Sequence, residues 1–205
     1  MFVNAIKKPI NGDGIIKTML IGTVLIFLSI FILPIFILMG FAIKSIKNAT
    51  EDEPIPRFSN NYKELFMIGL KYAGVALIFS ILFMIISGIV QLLAMFVSET
   101  VITILMLIFV LPIYLVYLYV LPAIMYEYSN NYRIKDAFNF RKMSDYIKTW
   151  EYVKITLIIS IAIPILIFVV NFVLGITIVG LLLIPAVSIY VMLVQAEIIS
   201  HIDEI

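Results

Sequence analysis

Five stretches of this chain consist almost wholly of aliphatic and aromatic residues: about 15–43, 65–97, 101–126, 153–174 and 176–199. Each reaches the ~20 residues that an α-helix needs to cross ~30 Å of hydrocarbon. Lipid offers a backbone no hydrogen-bond partner, so helix is the form such runs take. The pattern predicts an all-α polytopic membrane bundle of about five transmembrane helices, one domain over residues 1–205. Several runs exceed the minimum, so tilt or bending is expected. Pro34, Pro112, Pro122, Pro164 and Pro185 are the expected kink points, since each removes a helical hydrogen bond.

The second and third runs are joined by little more than Ser98-Glu99-Thr100, and the fourth and fifth meet at Gly175, so both joints read as tight helical hairpins. The other two connections, about 44–64 and 127–152, are long and polar. In the later one, Ile134, Ala137, Phe138, Met143, Tyr146, Ile147, Trp150 and Val153 recur at spacings of three and four. Lys135, Asp136, Arg141, Lys142, Asp145, Lys148 and Glu151 take the opposite face. This predicts an interfacial amphipathic helix lying in the headgroup layer and breaking near Asn139. Tyr62, Tyr146, Trp150 and Tyr152, rings with one polar edge, are the expected interfacial anchors.

One tetrapeptide occurs in both polar connections, as Ser59-Asn60-Asn61-Tyr62 and Ser129-Asn130-Asn131-Tyr132. Helix capping explains it better than a shared ligand. Asn61 with Glu64 three residues on fits a capping box, and Ser129, Asn130 or Asn131 is placed to cap the amphipathic helix. A second echo, Phe31-Ile32-Leu33-Pro34 against Phe109-Val110-Leu111-Pro112, reads either as a parallel duplication of helix pairs or as recurrence in Ile- and Leu-rich segments.

Charge orients the bundle. Lys44, Lys47, Arg57, Lys63 and Lys71 flank the first long connection; Arg133, Lys135, Arg141, Lys142, Lys148 and Lys154 flank the second. The positive-inside bias assigns both to the cytoplasm. Five full spans then place the C-terminus inside and the N-terminus outside. Lys7, Lys8 and Lys17 pull against that, and the alternative is a re-entrant first run, turning back near Pro34 and Gly40 so that the N-terminus is also cytoplasmic.

Composition narrows the chemistry. With 63% hydrophobic and 13% charged residues over 205 positions, the apolar surface exceeds what a water-soluble fold of this size can hide. A net charge of +1 gives no field to attract nucleic acid. There is no Cys and a single His, His201, so thiolate and His-based metal sites are out of reach. No ionisable residue falls deep inside a run, which argues against ion pathways and proton relays. Gln91 and Asn171 are the candidate intramembrane polar contacts, explained by interhelical hydrogen bonding. Asn11-Gly12-Asp13-Gly14 reads as a turn with Asp13 as a helix cap, since the ligand spacing of a calcium loop is missing. No catalytic residue, cofactor site or metal site is assigned.

The run Glu53-Pro54-Ile55-Pro56-Arg57-Phe58, then Glu64-Leu65-Phe66 and Gly69-Leu70-Lys71, resembles an uncharacterised prokaryotic, largely archaeal, membrane family known as domain of unknown function 4013. Ala137-Phe138-Asn139-Phe140 and the ending around Pro185, Tyr190, Gln195 and Ala196 are also similar to it. Where family members carry Gly-Tyr followed by Arg near the end of the first span, this chain has Gly40-Phe41 with Lys44. The resemblance implies a multi-helix membrane domain and brings no activity, substrate or catalytic residue.

The expectation is therefore a non-enzymatic scaffold or transport-accessory protein of the cytoplasmic membrane, in contact with lipids, anionic headgroups among them, and with a protein partner or a second copy. A permease-like carrier of a neutral or amphiphilic solute and a lipid-headgroup enzyme are the alternatives. A hydrated cavity lined by Gln91 and Asn171 would favour the first; carboxylates converging on a metal would favour the second.

Overall fold

A computed structural model describes residues 2–10, 14–58, 61–94 and 98–205. The Asn11-Gly12-Asp13 turn, Ser59-Asn60 of the first tetrapeptide and the end of the second run at Val97 lie outside the described residues. The helices are α1 (Phe2–Ile10), α2 (Ile15–Phe27), α3 (Leu33–Thr50), α4 (Tyr62–Ala94), α5 (Glu99–Leu105), α6 (Leu111–Asn131), α7 (Phe140–Tyr146), α8 (Trp150–Leu157), α9 (Ile163–Gly175) and α10 (Ile178–Ser200). A π-helical turn at Met106–Val110 joins α5 to α6, and another at Ile158–Ala162 joins α8 to α9. Among the described residues, five helical stretches are long and apolar enough to cross a membrane: Leu33–Thr50, Tyr62–Leu92, Glu99–Asn131, Trp150–Gly175 and Ile178–Glu204. Ile15–Ile30 is a shorter apolar helix.

The first apolar run is the main departure from expectation. It is not one helix over 15–43 but two, with the chain leaving helical geometry at Phe31 (φ −97°, ψ 81°) and re-entering at Leu33 with Pro34 in the first turn. A proline lacks the N–H that a continuing helix requires and its ring collides with the carbonyl four residues back, so it sits where no such bond is needed. The two helices then fold back on each other. Ile15, at the start of α2, packs in one cluster with Phe41 of α3 and with Ile55 and Phe58 beyond its end.

This fold-back carries α1 to the end of α10. The Tyr190 hydroxyl donates to the Ile6 carbonyl at 2.6 Å. The Lys8 ammonium pairs with Glu197 at 2.9 Å and Asp52 at 3.0 Å. The N-terminal helix, both polar connections and the C-terminus thus share one end of the bundle, termed the polar end. The expectation of termini at opposite ends is corrected, and all 14 Lys and Arg lie at or within three helical turns of that end.

The other prolines divide by position. Pro112 and Pro164 each follow a π-turn by one residue, the wider turn taking up the bond each ring removes, whereas Pro122 and Pro185 stay within continuous helices. Pro34 and Pro112, the centres of the sequence echo, therefore occupy different structures.

The tightest packing is between α3 and α4. A Cβ on Gly40 would lie 1.8 Å from the Leu65 carbonyl oxygen, and one on Gly69 would lie 1.8 Å from that of Phe36. Only glycine lets two backbones meet so closely. The buried core gathers around this crossing: Phe41 stacks on Phe58 at 4.2 Å, and α10 packs Ile189 and Leu193 beside them. A second cluster joins Ile43, Ile46, Ile68, Ala123, Ile124 and Ile198 from α3, α4, α6 and α10. Away from the polar end, α4, α9 and the Met106–Val110 turn present exposed apolar side chains such as Ile81, Met84, Leu107 and Phe168.

The amphipathic segment also differs from expectation. It forms a short turn at Asp136–Phe138 and the two-turn α7, capped by the Asn139 carboxamide, which accepts from the Lys142 N–H. Thr149 caps α8 in the same way. Its apolar residues Ala137, Met143 and Tyr146 are buried against the bundle rather than laid into headgroups. The second tetrapeptide does not cap it either. Ser129-Asn130-Asn131 are the last turn of α6, and Tyr132 ends that helix in the left-handed region at φ 55°. In the first copy, Asn61 stands immediately before α4 and its carbonyl accepts from Leu65 N–H.

Candidate functional site

The polar end holds the densest group of polar side chains. Near the end of α6, Glu127 is only 3% exposed. One turn of α7 presents Lys142 and Tyr146, four residues apart and so on one face. The Tyr146 hydroxyl donates to Oε1 of Glu127 and the Lys142 ammonium to Oε2, each at 3.1 Å. Both carboxylate oxygens are thereby occupied. The hydrophobic pattern places Lys142 on the polar face opposite Tyr146, yet the ends of both side chains reach the same carboxylate. Burial, then the charge and hydrogen bond of Glu127, raise the Tyr146 phenol far above its ordinary pKa. It is neutral and a donor at physiological pH.

Tyr152, expected as an interfacial anchor, is fully buried. Its hydroxyl donates to the Tyr119 carbonyl at 2.6 Å and accepts from Ala123 N–H at 3.3 Å. These groups flank Pro122, so the phenol bridges the backbone where the proline weakens the helical ladder. Tyr146 is buried as well, so two of the four expected anchors are not at the lipid surface. The physical reason is that a greasy helix face with a polar tip suits protein packing as well as headgroups. Tyr62 (41% exposed) and Trp150 (64% exposed) do stand on the surface near the polar end.

Further bonds tie the remaining elements together. Tyr128 donates to the Ile68 carbonyl at 2.8 Å, joining α6 to α4, and Tyr126 donates to Asp203 at 2.5 Å, joining α6 to the C-terminus. Tyr119 donates to the Ile147 carbonyl. Lys44 pairs with Glu64 at 2.6 Å across the α3–α4 crossing, and Lys47 lies over the Tyr132 ring at 5.1 Å. For Lys8, burial alone lowers the pKa, but Glu197 and Asp52 outweigh it and the net shift is upward.

The intramembrane candidates are not brought together. Gln91 is exposed on α4, and Asn171 is half-buried on α9 with its carbonyl oxygen unpartnered. Neither lines the cavities described next. One groove, of about 380 Å³, runs between α4 and α6 with Phe140 of α7 at one end. A second, of about 310 Å³, shares Phe83 and Tyr114 with it and continues along the Met106–Val110 turn. Both are lined almost wholly by apolar atoms. A third cleft, of about 40 Å³, lies among Lys8, Ser45, Asn48, Glu53 and Glu197. Among the described residues no three His, Asp or Glu side chains converge as a metal site would require.

The paired glycines explain two residues within the stretches that carry the family resemblance: Gly69 of Leu65-Phe66-x-x-Gly69-Leu70-Lys71 meets Gly40 of Gly40-Phe41. The family described as "Protein of unknown function (DUF4013)" matches residues 23–180. The chain belongs to this family. The matched region of this DUF4013 member runs from α2 to the first turn of α10 and contains the glycine crossing, Glu127, α7 and both grooves. No curated protein and no solved structure matches the chain.

Nothing in the sequence analysis singles out Glu127. The available signal was Lys142 and Tyr146 at i, i+4, a cation and a phenol on one helical face with a Glu on the preceding helix.

Proposed function

We propose that this DUF4013 member is a non-enzymatic, multi-pass protein of the cytoplasmic membrane, acting as a scaffold or an accessory to transport. Its polar end is cytoplasmic, with both termini and both long connections on that side. The observation that carries the reading is the concentration of all 14 Lys and Arg at one end of an otherwise apolar bundle. The positive-inside bias acts on such an asymmetry, and the three N-terminal lysines, at odds with five full spans, agree with a first run that turns back. The polar end is cross-linked through α1, α3, α4, α6, α7, α8, α10 and the C-terminal turn, which favours a rigid platform for lipid headgroups and a protein partner over a site where a substrate reacts.

Labelling accessible lysines in sealed vesicles of known orientation tests the threading. Lys7, Lys63 and Lys148 are expected to react from the cytoplasmic face alone, and reaction of any two from opposite faces refutes it. Mass spectrometry of gently purified protein tests the role: a stoichiometric protein partner supports the scaffold, and a small soluble solute retained instead favours a carrier.

A further inference from the structure

The groove between α4 and α6 is more than the ordinary contact of a helix with lipid. Phe79 and Phe83 of α4 and Tyr114 and Tyr117 of α6 form its walls, with Phe79–Tyr117 and Phe83–Tyr114 ring centroids 5.7 and 6.3 Å apart. Beyond Tyr114 it extends along the π-turn at Met106–Val110. The one serine in its wall, Ser80, already donates to the Ala76 carbonyl at 2.8 Å. Such a recess offers a solute little to hydrogen-bond and offers a hydrocarbon chain continuous contact.

The end nearest the polar end carries charge. Phe140 closes the groove there, with Phe138 stacked on Phe79 at 5.3 Å, and Arg141 follows Phe140 directly. Ile134, between Arg133 and Lys135, approaches α4 within 3.8 Å of where a Gly74 Cβ would stand, about one turn from Phe79. Among the described residues none of Arg133, Lys135 and Arg141 is in an ion pair.

We propose that this groove binds one hydrocarbon chain of an anionic membrane lipid, with the headgroup on Arg141, Arg133 and Lys135. The proposal rests on the membrane-spanning reading and adds the site and the class of lipid. Apolar walls select the chain, and uncommitted cations at one mouth select the charge and fix which way the lipid enters.

The test is native mass spectrometry of protein taken from nanodiscs of equal phosphatidylglycerol and phosphatidylcholine with identical chains. The wild type is expected to retain one phosphatidylglycerol in preference to phosphatidylcholine. Arg141→Ala should cut that preference about fivefold, the weight of one cation near an anionic surface. Val116→Trp should remove the retained lipid of either kind; Val116 lines the groove and is 62% exposed, so the change fills the recess without disturbing the core. Retention unchanged by Val116→Trp, equal retention of the two lipids, or a second copy cross-linked at Val116 in place of lipid would each overturn the proposal. Alkaline carbonate extraction of the protein from vesicles separates the two claims: release from the membrane would sink the spanning reading itself, whereas a retained protein with an empty groove sinks the lipid site alone.

Discussion

Adding one methyl group at Gly69 should unsettle this fold more than removing a large surface side chain. The alanine Cβ would stand 1.8 Å from the Phe36 carbonyl oxygen and 2.7 Å from the Gly40 nitrogen. Relief to an ordinary contact near 3.5 Å needs the two helices to part by roughly 1.5 Å. Both obstacles are backbone, so no rotamer change relieves them. Overpacking costs about 1–3 kcal/mol where side chains can adjust, and a rigid crossing belongs at or above ~3 kcal/mol. At about 2–4 °C per kcal/mol for a chain of this size, the midpoint should fall by about 6–12 °C. The assay is thermal unfolding in one detergent, followed by loss of monodisperse protein. Gly88→Ala is the control: the same helix, the same substitution, and no heavy atom within 4 Å of the added carbon. Relief of glycine's backbone entropy should make it neutral or stabilising by about 0.5–1 kcal/mol. If Gly69→Ala and Gly88→Ala unfold at the same temperature, the close crossing of α3 and α4 is not part of the folded protein.

The polar end supports three more expectations. Glu127→Gln and Lys142→Met, made singly and together, should show a coupling of about 0.5–3 kcal/mol in unfolding free energy; strict additivity would mean the pair does not form. Tyr152→Phe removes the hydroxyl that bridges Tyr119 and Ala123 and should cost about 1–3 kcal/mol, whereas Tyr62→Phe, on an exposed ring, should leave the midpoint unchanged. Tyr146 and Lys8 both have raised pKa values in the folded state. A raised value contributes stability that is complete below the unfolded pKa and fades as pH climbs toward the folded one. Unfolding midpoints should therefore be level up to about pH 9 and decline above about pH 10, where free Tyr ionises and free Lys loses its proton and charge; a decline starting near neutrality would contradict the assignment.

The spans were legible because a long apolar run has one stable form in lipid, and the tight hairpin of α9 and α10 because its joint is too short for anything else. The fold-back of α2 on α3 was legible only as an alternative. An apolar run of this length reads the same whether one helix or two cover it, and Pro34 marks a bend without giving its angle. The amphipathic segment shows a further limit. Spacings of three and four identify a greasy face but not what it meets, and protein and lipid are both apolar. Tyr146 and Tyr152 were therefore set at the headgroups when they are buried. Lys142 does stand exposed, as its polar face predicts, but helical periodicity sorts side chains by polarity and cannot see the buried carboxylate on α6 to which its ammonium reaches. Gln91 and Asn171 fail for a related reason: which way α4 and α9 are rotated depends on contacts distant in sequence.

The uneven packing has a physical cause. Between helices in lipid there is no hydrophobic force, since a leucine gains nothing by leaving acyl chains for another leucine. Cohesion must come from close backbone approach and from polar bonds. The glycine crossing supplies the first, and the bonds of Tyr126, Tyr128, Tyr146, Tyr152, Lys8 and Lys142 supply the second, all toward one end. Helices fixed at one end by directional bonds and free of attraction elsewhere diverge wherever their side chains do not interlock. On that view the recess between α4 and α6 follows from where the polar bonds lie. Tyr128 fixes α6 to α4 at Ile68, and the stack of Phe138 on Phe79 wedges α7 at the mouth. The same bonds that make the polar end rigid therefore set the width of the groove, and weakening that of Tyr128 should alter lipid retention even though Tyr128 does not line it.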